Sequence, residues 1–198
     1  MPVAGGPSRA PRKSIAPARS GGHTLPVTLI RRETESDRAA VHAVQDAAFA
    51  TAQHASGHEA DLVDALRGGE DWVPRLSLVA EVDGKIAGHV VCTHGRLAGE
   101  RVLGLGPIGV EPALHGKGIG AALMHAVIGA ADAVDEPGIV LLGDPKFYGR
   151  FGFVLAEELG VVPSDPNWAP YFQVRALANW GEELRGRFDF PPAFDEFG

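Results

Sequence analysis

The stretch Leu103-Gly104-Leu105-Gly106-Pro107-Ile108-Gly109-Val110-Glu111-Pro112-Ala113-Leu114-His115-Gly116-Lys117-Gly118-Ile119-Gly120 decides the reading of this chain. An apolar, strand-like run empties into a glycine-rich turn. A run of helical character follows, Ala121-Ala122-Leu123-Met124-His125-Ala126-Val127-Ile128. Gly116, Gly118 and Gly120 let backbone approach a ligand closely, and the first amides of a helix have no intrahelical acceptor, so this order suits a pyrophosphate. A nucleotide-like cofactor is one reading of the turn. The other is a turn that only lets a helix pack closely on a sheet.

Two familiar phosphate motifs are disfavoured. Lys117 sits inside the glycines and is followed by Gly118, where a Walker A loop needs Ser or Thr. The turn also comes after three expected strands, so it lacks the early strand-turn-helix setting of a dinucleotide fingerprint.

Upstream, Val27-Thr28-Leu29-Ile30-Arg31-Arg32 reads as a first strand, and Glu33-Thr34-Glu35-Ser36-Asp37 offers capping residues. Ala40, Val41, Val44, Ala47 and Ala48 then fall at helical spacing, and Leu62, Val63, Ala65 and Leu66 mark a second helix ended by Gly68-Gly69. Asp83-Gly84 between the β-rich runs 76–82 and 85–93 is a strong hairpin signal. Strands are expected at 101–110, 138–142, 153–155 and 171–177, a helix at 119–133, and a short turn or helix at 148–151. The order β-α-α-β-β-β-α-β-α-β gives a mixed sheet with helices on its faces, because a fully parallel sheet would need a helix where the hairpin stands. Residues 179–198 read as an irregular tail with weak strand character near Arg187-Phe188-Asp189-Phe190.

A second segment, Leu142-Gly143-Asp144-Pro145-Lys146-Phe147-Tyr148-Gly149-Arg150-Phe151-Gly152-Phe153, joins the glycine turn to make a more specific pair. On these two segments the chain resembles the GCN5-related N-acetyltransferase (GNAT) superfamily, in its branch of small bacterial predicted N-acetyltransferases, over residues 30–176. The resemblance implies an α/β fold with a mixed, strongly twisted central sheet, flanking helices, and acetyl-CoA as co-substrate between two splayed strands, one ending at Val110 and one near Leu142. It implies that backbone groups of Ile108 and Val110, with Gly109 between them, pair with the pantetheine arm. His115, Gly116, Lys117, Gly118, Ile119 and Gly120 are then the pyrophosphate side, with amides of 117–120 as donors. His115 departs from the Gln or Arg usual in the family motif, and its reach is shorter. Pro107 lacks an N–H and is tolerated where one edge of the ladder opens to the cofactor.

By the same resemblance, transfer is direct within a ternary complex, Tyr148 is the general acid and also borders the cofactor, and the amide of Val110 polarises the thioester carbonyl. A phenol is neutral at pH 7 and can donate to sulfur, although a tyrosine among Phe147, Phe151 and Phe153 also suits an aromatic core. The acceptor amine must lose a proton, and His54, His58, Glu59, His94 and Glu111 are the candidates. His58 and Glu59, at the start of a helix near the expected acceptor side, are favoured, while Glu59 equally suits a helix-terminal charge. No His or Cys spacing marks a metal site, so no metal is expected. Cys92 reads as a small buried hydrophobe.

The 198 residues favour one main domain. Residues 1–25 carry four basic and no acidic side chains and read as a disordered leader, 26–178 as the acetyltransferase domain, and 179–198 as an extension packed on the domain or a partner. With 18 Lys and Arg against 25 Asp and Glu, the net charge of -7 does not suit a nucleic-acid binder. A single cysteine fits a reducing compartment, and no apolar run approaches the ~20 residues that span a membrane, so the expected location is the cytoplasm. The expected partner is a small-molecule or protein amine, with a homodimer left open. Two alternatives remain on the residues: a CoA-binding sensory or interaction module without turnover, and a structural or protein-interaction domain with a vestigial glycine turn.

Overall fold

A computed structural model of the protein describes residues 28–50 and 56–197; the expected leader lies outside them. The first strand, β1 (Thr28–Arg32), leads to helix α1 (Arg38–Phe49) through a capping box of Thr34 and Asp37. Arg31 locks this entry by a two-pronged bond to Asp37, at 2.7 and 2.9 Å, and by a third to Glu81 at 3.0 Å. Helix α2 (Glu59–Arg67) follows.

The hairpin of β2 (Trp72–Val82) and β3 (Lys85–Leu97) turns at Asp83 and Gly84, both with positive φ, as a primed two-residue turn requires. The strand β3 runs four residues beyond its expected end because Ala98 and Gly99, also at positive φ, form a second tight turn into β4 (Glu100–Val110). Helix α3 (Ile119–Asp132), β5 (Gly138–Leu142) and a one-turn helix α4 (Pro145–Tyr148) come next. The remainder comprises β6 (Val154–Leu155), β7 (Val161–Val162), β8 (Phe172–Ala176), β9 (Gly186–Asp189) and α5 (Ala193–Phe197).

Among the described residues the sheet order is β1-β2-β3-β4-β5-β8-β6, with β9 on β3 and β7 on β9. The main path is antiparallel except between β4 and β5, which run parallel. This is the mixed, twisted sheet with flanking helices that the hairpin signal demands. Alternate side chains point to opposite faces. Leu78, Ala80, Val90, Cys92, Leu103 and Leu105 meet Leu123, Met124 and Val127 of α3 on one face. On the other face, Val79 and Val91 meet Val41 of α1 and Val63 of α2. Farther along that second face, Phe172 and Phe188 close a C-terminal core with Leu97, Val102 and Val140. No helix among the described residues is long and apolar enough to cross a membrane.

Candidate active site

The parallel strands β4 and β5 pair only at Leu103 with Ile139 and Gly104 with Val140. Beyond that point they part. On the other side of β4, Glu111 N–H donates to the Ala87 carbonyl, and Gly109 lies opposite His89. Ladder bonds alternate along a strand, so the backbone groups of Ile108 and Val110 face away from β3 and into the gap toward β5. Pro107 sits within a register shift against β3, where Gly106 and Pro107 of β4 together oppose Val91, and so breaks no regular ladder bond.

The gap is the edge of a cavity of about 480 Å³. Ile108, Gly109 and Val110 form one wall, Phe147, Tyr148 and Arg150 another, and Ala48 with Phe49 at the end of α1 a third. Leu114, His115, Gly116, Gly118, Ile119, Gly120 and Ala121 complete it at the start of α3. Gly116 and Gly118 have φ of +75 and +83°, and nothing stands within 4 Å of where a β-carbon would be. Their glycine is required by backbone conformation rather than by crowding. The amides of Ile119, Gly120 and Ala121 belong to the first turn of α3 and have no acceptor within the helix, whose first bond runs from Ala122 N–H to the Gly118 carbonyl.

Two members of the expected anion cradle are placed differently from the others. Lys117 does not line the cavity, and its amide donates to the Leu114 carbonyl at 3.4 Å. His115 lines it, but its Nε2–H donates to the Val110 carbonyl at 2.9 Å, which fixes the proton on that nitrogen. The ring therefore turns back on the strand.

Asp144 caps α4 by accepting from the Lys146 amide at 2.9 Å, and Pro145 pre-sets the first helical residue. This short helix brings Tyr148 into the cavity wall, edge-on to Phe147 and Phe153 with ring centroids 4.9 and 5.9 Å apart. Burial pushes its phenol up to about 12, so it stays protonated at neutral pH. Arg150 was not foreseen. Its guanidinium lies 4.7 Å from the Phe147 ring centre and 5.4 Å from that of Phe151, while Nε donates to the Phe147 carbonyl. A cation inside an aromatic segment beside the tyrosine was the signal available.

The structure does not bring His58 and Glu59 into the cavity lining. Glu59 accepts from the amides of Ser56 at 2.7 Å and Gly57 at 3.1 Å, both of its oxygens thereby closing the turn ahead of α2. His58 is exposed and faces Asp61 at 3.5 Å. His94 is paired with Glu136 at 2.9 Å, and His54 lies outside the described residues. Cys92 is fully buried, and burial pushes its thiol well above its ordinary range, so it is inert as a nucleophile.

Residues 74–155 match the model of an acetyltransferase (GNAT) domain. The Escherichia coli K12 protein YhbS, described as an uncharacterised N-acetyltransferase, is 32% identical over 154 residues, covering 76% of this chain and 88% of its own. A Brucella melitensis GNAT family acetyltransferase, solved in complex with acetyl-CoA, is 33% identical with a TM-score of 0.72, over 85% of this chain and 99% of its own. The crystal structure of E. coli YhbS in complex with CoA gives 29% identity and a TM-score of 0.79, over 89% and 98%. With its splayed strands, its glycine turn at a helix start and this degree of likeness, the chain belongs to the GNAT family of acetyltransferases.

Proposed function

We propose that the protein transfers an acetyl group from acetyl-CoA to an amine by direct attack in a ternary complex. The observation that carries this reading is the convergence on one cavity of the gap-facing backbone of Ile108 and amide of Val110, a glycine turn with free helix amides, and Tyr148. These residues fit acetyl-CoA: an extended, amide-bearing arm matches the open edge of β4, and a diphosphate matches the start of α3. Arg150, pinned on Phe147, adds a cation at the same cavity.

Acetyl-CoA supplies an activated thioester whose sulfur leaves as a thiolate. We assign to the amide of Val110 the polarisation of the carbonyl as its oxygen gains charge. Tyr148, neutral and aimed into the cavity wall, donates its proton to the departing sulfur. The amine must arrive deprotonated, since an alkyl amine has a reference pKa near ~10. We assign Glu59 to capping rather than to that proton transfer, on the ground of its two amide bonds.

Calorimetric titration with acetyl-CoA, with NADH and ATP as controls, tests the reading. Selective binding of acetyl-CoA is expected, followed by acetylation of members of a primary-amine panel containing small-molecule amines and lysine peptides. Lack of acetyl-CoA binding by the folded protein would overturn it.

A further inference from the structure

Helix α1 meets β4 at Gly109 more closely than a side chain would allow. A β-carbon at 109 would stand 2.5 Å from Oε1 of Gln45 and 3.1 Å from the β-carbon of Ala48. Gln45 is fully buried on the apolar face of α1, and its Oε1 has no hydrogen-bond partner. Only the Cα hydrogens of Gly109 fit against that oxygen, a weak contact that depends on the amide being held in place.

Four buried groups hold it. Nε2 of Gln45 donates to Nδ1 of His89 at 2.8 Å, so the His89 proton sits on Nε2, 2.9 Å from Oγ of Ser77. Ser77 donates to Glu33, whose other oxygen meets Nη2 of Arg67 at 2.6 Å. Every donor in the series points the same way, from Gln45 to the Glu33 carboxylate. His89 is wholly buried, and burial holds it below its ordinary pKa against the pull of Glu33, which preserves the neutral tautomer that the chain needs.

The two ends of this series lie at two cavities. Glu33 and Ser77 line a smaller one of about 230 Å³, whereas Gly109 lines the acetyl-CoA cavity, together with Ala48 and Phe49 from the turn of α1 after Gln45. We propose that Gln45, held by His89, Ser77 and Glu33, is a positioning residue that sets the distance of α1 from Gly109 and so the width of the cavity between β4 and Phe49. This inference rests on the acetyl-CoA reading of that cavity. It assigns a role in binding to residues that touch no ligand.

A double-mutant cycle read by acetyl-CoA calorimetry tests it. Gly109→Ala should weaken binding about twentyfold and Gln45→Ala about fivefold, and the double variant should be no weaker than Gln45→Ala, because the methyl has lost its obstacle. A double variant about a hundredfold weaker, the product of independent effects, would overturn the proposal. A merely stabilising Gln45 would lower the melting temperature of each variant without this coupling in affinity. If Gly109→Ala does not fold alone, Gln45→Ala and His89→Ala give the second cycle: each should lose about fivefold and the pair no more, whereas multiplied losses would sink the idea. Failure of the unmodified protein to bind acetyl-CoA would strike the function instead, and the positioning role with it.

Discussion

The ring of Tyr148 rests on Gly143 so closely that a β-carbon at 143 would stand 2.2 Å from Cε2 of the tyrosine. Gly143 is itself fixed, its amide donating to the Tyr171 carbonyl at 2.9 Å and its carbonyl accepting from Nε2 of Gln173 at 2.8 Å. The end of β5 therefore serves as the seat of the proposed acid. Tyr148→Phe keeps this packing and removes only the hydroxyl, so kcat should fall by about 100-fold or more with the KM for acetyl-CoA within about threefold. Gly143→Ala forces the ring off its seat, at a cost of about 1–3 kcal/mol, and should lower kcat and the melting temperature together. Steady-state kinetics with a saturating acceptor would separate the two, and an unchanged kcat in Tyr148→Phe, with chemistry rate-limiting, would remove the hydroxyl from the reaction.

At the other end of the cavity, Gly118 and His115 differ in what they contribute. Gly118 stands at φ +83°, where a branched residue is strained by about 1–3 kcal/mol and the amides of the turn lose their aim. Gly118→Val should weaken acetyl-CoA binding about tenfold or more. His115 is bonded to the Val110 carbonyl, so His115→Ala removes a side chain already committed to the strand and frees that carbonyl. Its affinity should stay within about threefold of the parent, since a single neutral hydrogen bond is worth about 1 kcal/mol net. Calorimetry on both variants decides whether the backbone or the side chain of this turn carries the anion.

Glu59 distinguishes capping from catalysis. Because its carboxylate accepts from two amides ahead of α2, Glu59→Gln should lower stability by about 0.5–2 kcal/mol, within the range of lost helix caps. The pH dependence of kcat/KM should be the same in both proteins. Loss of an ascending limb in the pH profile of the variant would instead return Glu59 to the proton transfer.

Much of this arrangement is legible from short-range patterns. Asp83-Gly84 announces its hairpin because positive φ at two successive residues selects those residue types, and Gly116 and Gly118 announce the turn for the same reason. What escapes the sequence depends on residues far apart meeting. The strand β9 joins β3 because Gly95 and Gly104 clear space for the rings of Phe188 and Phe190, contacts across more than 80 residues that leave no periodic signal. Gln45 was more nearly visible: it falls four residues after Val41, on the face that the alanines and valines of α1 define as buried. A polar residue there needs a partner, but the sequence does not reveal that the partner is His89. His58 and Glu59 were placed near the acceptor side by their position at a helix start, and geometry turns Glu59 onto the local backbone instead.

The same buried series predicts how the fold responds to acid. His89 lies below its unfolded pKa of 6.5 because burial penalises the cation more than Glu33 favours it. Below pH 6.5 the unfolded chain therefore binds a proton that the folded chain refuses, and stability falls with pH by up to ~1.4 kcal/mol per unit until His89 is protonated in the folded state. Glu33 adds a second, lower window. Burial pushes its carboxyl up, but the proximity of His89, the hydrogen bond from Ser77 and the charge of Arg67 outweigh that and hold it at about 2, against 4.5 unfolded. Its contribution is complete above about pH 4.5 and is lost as pH falls toward 2. Asp37, held well below its ordinary range by the hydrogen bond from Arg31, acts in the same direction. Urea midpoints measured at about pH 7.5, 6.0 and 5.0, all above the carboxylate window, follow the histidine. The parent protein should lose stability across this series and His89→Gln should lose less, because Gln binds no proton in either state. Parallel lines for the two proteins would mean that another group takes up the proton and that His89 does not sense pH in this range.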